Sequence, residues 1–75
     1  MEISNFVLVS KTGRGLSDLV MAAEVDVTTG HLWWKKTTRE KIQKNSISDW
    51  FFIDTGKFTP GYVVDELERS WFAKN

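Results

Sequence analysis

The segment from residue 20 to residue 38 constrains the fold more than any other part of the chain. An apolar run is followed by a Thr-Thr-Gly sequence, two adjacent tryptophans at Trp33 and Trp34, and two lysines. β-Branched and aromatic residues on both sides of a glycine-containing turn are typical of a β-hairpin. Gly30 fits the left-handed position of such a turn because it has no Cβ. The segment therefore predicts two antiparallel strands joined by a tight turn.

The tight turn sets the predicted register of this hairpin. It pairs Val27 with His31, and therefore Val25 with Trp33. Since side chains alternate across a sheet, the register assigns each residue to one of two faces, and a slip by one residue would exchange them. The predicted core face carries Met21, Ala23, Val25, Val27 and Trp33, and the opposite face carries Val20, Ala22, Glu24, Asp26, Leu32, Trp34, Lys36 and Thr38.

Two further strands are predicted outside the hairpin. Apolar runs at residues 5–10 and 50–53 are typical of strands, and the polar residues 41–48 predict a loop. Residues 16–20 leave a short helix open as an alternative before the hairpin begins. Gly56 favours a turn after the last strand because it tolerates positive φ.

The C-terminal residues predict one helix. Thr59 is a good N-cap and Pro60 suits the first helical position, where the missing N–H has no cost. Phe58, just before them, is expected to lie beneath the edge of the sheet. Apolar residues at helical spacing should face the core, and they are Val63, Val64, Leu67 and Trp71.

Length and composition predict a single domain spanning residues 1–75. The 4 Trp, 5 Phe and 1 Tyr provide the large side chains that a dense small core requires. The chain has no cysteine, which excludes disulfides and thiolate metal sites and suits a reducing compartment. No apolar run is long enough for a signal peptide or a spanning helix. We therefore expect a cytoplasmic protein with no membrane partner.

These elements predict an α+β fold: a four-stranded antiparallel β-meander with one C-terminal α-helix packed on one face. One helix covers only one face, so the other face should keep Leu32 and Trp34 exposed. Exposed apolar patches usually mark interaction sites. The sequence therefore predicts a non-enzymatic protein-interaction module that binds another protein or a second copy of itself as a homodimer.

A basic tract supports an alternative function. Residues 31–47 carry five lysines or arginines against one glutamate, a net charge of +4. Aromatics beside cations can stack bases and hold phosphates, which would make Trp34–Lys44 a nucleic-acid site. A net charge of zero for the whole chain and the frequency of lysines on edge strands weigh against it. The residues predicted to contact a partner are Leu32, Trp34, Lys35, Lys36, Arg39 and Lys41.

No set of residues predicts catalysis, a metal site or a cofactor. His31 is the only histidine and lies in the predicted turn, so neither a triad nor a converging ligand set can be built around it. The sequence therefore predicts that the protein is not an enzyme.

Three stretches resemble small uncharacterised proteins encoded in bacteriophage and prophage regions of bacteria. They are TTGHLWWKK at residues 28–36, DTGKFTPG at 54–61 and ELERSW at 66–71, and the resemblance covers roughly residues 25–72. It implies a bacterial, cytoplasmic, phage-derived accessory protein that acts by binding a macromolecule. It implies no site residues.

Overall fold

A computed structural model describes residues 1–15 and 17–74 of the protein. The short helix left open for residues 16–20 includes Leu16, which lies outside the described residues. Residues 17–19 are not helical, and a strand begins at Val20. The regular elements are β1 (Glu2–Thr12), β2 (Val20–Thr29), a short 3-10 turn (Leu32–Trp34), β3 (Lys36–Asn45), β4 (Phe51–Phe52) and α1 (Gly61–Lys74).

These elements confirm the predicted α+β meander. The strands lie in the order β1-β2-β3-β4, and each neighbouring pair is antiparallel. α1 contacts β1, and its Val64 is buried in the same cluster as the inward-facing residues of β2. The helix therefore covers one face of the sheet, and we call the opposite side the open face.

The alternating pattern of β2 determines which face becomes the core. Met21, Ala23, Val25 and Val27 are each at most 6 % exposed, as the sequence predicted. The residues between them are only partly buried and face the other way. The buried apolar core consists of Ile3, Phe6, Met21, Ala23, Val25, Val27, Ile42, Trp50 and Val64.

The predicted register of the β2–β3 hairpin is wrong. Val27 pairs with Thr38 and not with His31. The observed register extends the ladder over the whole length of β2 and places Ile42, which is 0 % exposed, opposite Ala23 in the core. Trp33 was predicted on the core face, but it lies in the connection between the strands and is 85 % exposed. The stabilisation from burying Ile42 and from pairing β2 over its whole length therefore exceeds the stabilisation that a tight turn would provide.

The loop predicted at residues 41–48 is also wrong over its first half, because β3 continues to Asn45. Its polar side chains are tolerated since β3 pairs with β2 over its whole length and only its inward positions meet the core. The fourth strand is confirmed but short, with Ile42 opposite Phe52. Gly56 has φ +73°, which confirms the turn predicted there.

The start of α1 differs from the predicted cap. Thr59 does not cap the helix: it is buried, and its hydroxyl donates a hydrogen bond to the carbonyl of Trp50 at 3.0 Å. The carbonyl of Pro60 instead accepts from the N–H groups of Val63 and Val64 at 3.0 and 3.3 Å. Thr59 thus anchors the segment that leads into the helix, and the helix begins at Gly61.

Trp50 occupies the centre of the core. It is 0 % exposed, and its indole Nε1–H donates to Glu68 of α1 at 3.1 Å. The Phe6 ring meets it edge-on with 5.5 Å between centroids, and Phe6 also meets Trp71 at 6.4 Å. This aromatic cluster connects the helix to β1 and to the β4 segment, and the predicted apolar stripe of α1 packs against it.

Candidate binding surfaces

The connection between β2 and β3, together with the first residue of β3, forms an exposed aromatic tip, which we define as residues 31–36. Its 3-10 turn is closed by a hydrogen bond from the Trp34 N–H to the His31 carbonyl at 2.8 Å. Gly30 precedes it with φ +108°, and a Cβ there would collide with the carbonyl of Trp34. Leu32 has φ +49°, a left-handed conformation that is uncommon for a residue with a side chain. The local backbone therefore depends on a glycine and holds a compact turn.

The side chains of this tip point into solvent. Leu32, Trp33 and Trp34 are 76 %, 85 % and 78 % exposed. Together with His31 they line a small cleft of about 160 Å³. Single exposed apolar residues are ordinary on protein surfaces, but contiguous patches of large ones mark contact sites.

The structure brings four of the six predicted contact residues together. Leu32, Trp34, Lys35 and Lys36 all lie on the tip. Leu32, Trp34 and Lys35 do not lie on a sheet face as predicted, because the 3-10 turn and Lys35 lie outside the strand pairing. Lys36 begins β3 and pairs with Thr29. Trp33, which the sequence assigned to the core, joins them. The exposure of Trp33 could have been inferred only from the longer pairing, in which β2 pairs with residues 36–45 and Ile42 is buried.

The other two predicted contact residues lie away from the tip and on the open face. Arg39 is opposite Asp26, and Lys41 is opposite Glu24. Lys44, the last cation of the tract, points to the covered side and lines a groove beside α1 with Asp65 and Glu68. Strand alternation therefore splits the basic tract, and it forms no continuous cationic patch.

Arg39 is the centre of a charged network that the sequence did not reveal. Its guanidinium contacts Asp26 at 2.9 Å and Glu24 at 3.5 Å, and it donates to the backbone carbonyl of Asn5 at 3.1 Å. The Asn5 amide donates to Asp26 at 2.7 Å, and this hydrogen bond, followed by that from Arg39, lowers the pKa of Asp26. The hydrogen bond with Asp26 is the main cause that raises the pKa of Arg39. The charge of Arg39 is therefore satisfied internally.

This network holds a bulge in β1. The β1–β2 register shifts between Ser4 and Val7, and Asn5 has φ +54°. Arg39 and Asp26 bind the backbone and side chain of Asn5 across the strands. The network is thus a structural brace for an irregular edge strand, and bulges on edge strands discourage unwanted pairing.

The open face carries a second set of exposed apolar side chains. Val9 is 59 % exposed and Ile53 is 45 % exposed, and both line a depression of about 150 Å³ with Glu24 and Lys41. Phe58 was predicted beneath the sheet edge, but it is mostly exposed. Its ring meets the ring of Phe51 edge-on, with 6.4 Å between the centroids. The predicted uncovered face therefore exists, although its members are not Leu32 and Trp34.

Among residues 1–15 and 17–74, no group of three or more histidine, cysteine, aspartate or glutamate side chains is placed to hold a metal ion. Within the same ranges, no helix has the length and apolar character needed to cross a membrane. No protein-family model, curated protein or solved structure matches this chain.

Proposed function

We propose that this protein is a non-enzymatic interaction module that inserts its aromatic tip into a pocket of another protein. The observation that carries the proposal is the exposure of Leu32, Trp33 and Trp34 on one short turn. Burying such side chains on a partner removes apolar surface from water, at roughly 25 cal/mol per Å². Tryptophan is also among the residues that dominate measured binding energies at interfaces.

The shape of the tip supports insertion into a pocket. The turn is held by the hydrogen bond between Trp34 and His31 and by the backbone requirement at Gly30. A contact segment that is ordered before binding loses less conformational entropy when it binds. Lys35 and Lys36 directly follow the tryptophans, so a pocket with acidic residues at its rim would complement the tip.

The nucleic-acid alternative is supported only by the tip itself. Trp33 and Trp34 beside Lys35 and Lys36 would suit stacking on unpaired bases. The remaining cations are directed elsewhere, and Arg39 is already paired with two carboxylates. With so few phosphate contacts available, we favour a protein partner. The proposed phage origin and cytoplasmic location stay predictions, and the role of the tip does not depend on them.

Quantitative capture from bacterial lysate tests the proposal. The wild-type protein is compared with W33A/W34A and with a control variant, Y62A, because Tyr62 is an equally exposed aromatic on α1. We expect specific proteins to be retained by the wild type and Y62A and lost from W33A/W34A. Equal retention by all three would contradict the proposal.

A mobility-shift assay with single-stranded oligonucleotides at low salt separates the two functions. The protein-binding proposal predicts no shift. A shift that disappears in W33A/W34A and weakens steeply with salt would assign the tip to nucleic acid instead.

A further inference from the structure

The open face has a charge pattern that changes sign across its middle. One row of residues runs across β1, β2 and β3 from Val7 through Glu24 to Lys41. It continues to Ile53, just after β4, whose N–H donates to the Lys41 carbonyl at 3.1 Å. It is therefore apolar, acidic, basic and apolar in that order. In the next row, Asp26 of β2 lies opposite Arg39 of β3, so the acid is again on β2 and the base on β3.

Such a pattern is complementary to itself under one symmetry operation. A two-fold axis parallel to the strands and midway between β2 and β3 would lay a second open face over the first. That operation places the β2 position of one copy over the β3 position of the other. Glu24 would face the partner's Lys41, and Val7 would face the partner's Ile53. Acid then meets base and apolar meets apolar in this row.

We infer that the open face is the interface of a symmetric homodimer whose two-fold axis runs along the strands between β2 and β3. Closed two-fold dimers use the same patch on both subunits, which requires this kind of self-complementary surface. This interface is separate from the aromatic tip, so it goes beyond the proposed partner contact and does not depend on it.

Glu24 and Lys41 are the charges available for pairing across this interface, although Glu24 also pairs with Arg39 within the subunit. Lys41 makes no ion pair in the part of the chain that the structure describes. Glu24 reaches Arg39 at 3.5 Å, a longer contact than the 2.9 Å between Asp26 and Arg39. The dimer would therefore form two Glu24–Lys41 pairs, while the Arg39–Asp26 pair stays within each subunit.

The size and the twist of the face are compatible with a weakly associating dimer. Only β1, β2 and β3 are long, since β4 is Phe51–Phe52 alone. Three strands of about ten residues give a face of about 33 Å by about 14 Å, so two copies would bury roughly 1,000 Å². That is near the lower limit for specific interfaces. Two twisted sheets pack face to face with their strands within about 30° of each other, which agrees with an axis along the strands. Val9 and Ile53 would be covered in this arrangement.

Charge reversal with mixing tests the dimer. The molar mass of wild type, K41E and E24K is measured by sedimentation equilibrium from about 1 µM to about 1 mM, a range that covers the dissociation constants of weak dimers. We expect wild type to dimerise and each variant to dissociate at least about tenfold more readily, because two pairs become repulsive. An equimolar mixture of K41E and E24K should recover the dimer, since the two altered faces complement each other.

The mixture separates an interface effect from a folding defect. If E24K does not fold, I53E replaces it as the disrupting variant, because Ile53 lies on the open face and is already part-exposed. W33A/W34A should dimerise like wild type, which keeps this test independent of the tip. Wild type that stays monomeric throughout, or K41E and I53E dimers as strong as the wild-type dimer, would overturn the inference.

Discussion

The two faces of the sheet are built from the same strands and differ in what lies against them. The covered face is apolar along β2, and α1 and Trp50 complete its burial. The open face alternates with it and carries two acids on β2 opposite two bases on β3, with apolar residues at both sides. The alternation of side chains along the strands thus gives one apolar face that stabilises the monomer. It gives a second face whose mixed composition suits contact with another protein molecule.

The largest expected effect is the difference in stability between replacing a buried tryptophan and replacing an exposed one. Trp50→Ala should lower the free energy of unfolding by about 3–5 kcal/mol, because it leaves a cavity in the core. It also removes the hydrogen bond to Glu68. Trp33→Ala should change it by less than about 0.5 kcal/mol, as expected for a surface site. Urea denaturation of both variants measures the difference, and similar losses would contradict the assignment of the two side chains.

The same substitution on the two faces sharpens the comparison. Val25→Ala, at a position that is 0 % exposed, should cost about 2 kcal/mol. Val9→Ala, on the open face, should cost less than about 0.5 kcal/mol in the monomer. Denaturation at low protein concentration isolates the monomer. A large cost at Val9 would mean that the open face is already covered within one chain.

Gly30 links the sheet to the aromatic tip. Gly30→Ala should lower the free energy of unfolding by about 1–3 kcal/mol, because its φ is positive and the added Cβ meets the Trp34 carbonyl. Gly61→Ala is the matched control, since nothing lies within 4 Å of a Cβ there. Equal stability of the two variants would show that the tip does not have the described conformation.

The smallest expected effect concerns the pH dependence of the open-face network. The pKa of Asp26 is lowered in the folded state, so its stabilising contribution is present above its unfolded pKa, near 3.9, and is lost as pH falls through the folded value. Asp26→Asn should therefore weaken the decline in stability between neutral and acid pH. The free energy of unfolding measured across that range checks this. An unchanged pH slope would mean that Asp26 is not held by Asn5 and Arg39.

The sequence predicted the parts of the fold that depend on local patterns. The alternation of β2, the glycine turn at Gly56 and the apolar stripe of α1 each follow from neighbouring residues, and the structure confirms them. The hairpin register did not follow, because Trp33 and Trp34 suit a strand as well as a turn. Only the distant pairing that buries Ile42 decides between them.

The candidate surfaces were predictable to a similar degree. The exposure of Leu32 and Trp34 was expected, but on a sheet face and not on a tip. The separation of Arg39 from the tip was not predictable, because it depends on a bulge at Asn5 that lies 34 residues away in sequence. Contacts of that kind depend on the assembled sheet.

Calorimetric titration of the captured partner, once purified, tests the central claim most directly. We predict that W33A/W34A binds it at least about 100-fold more weakly than wild type, as expected when hot-spot side chains are removed. The thermal stability of the variant should remain that of wild type. An unchanged Kd for W33A/W34A would contradict the claim that the aromatic tip is the binding site.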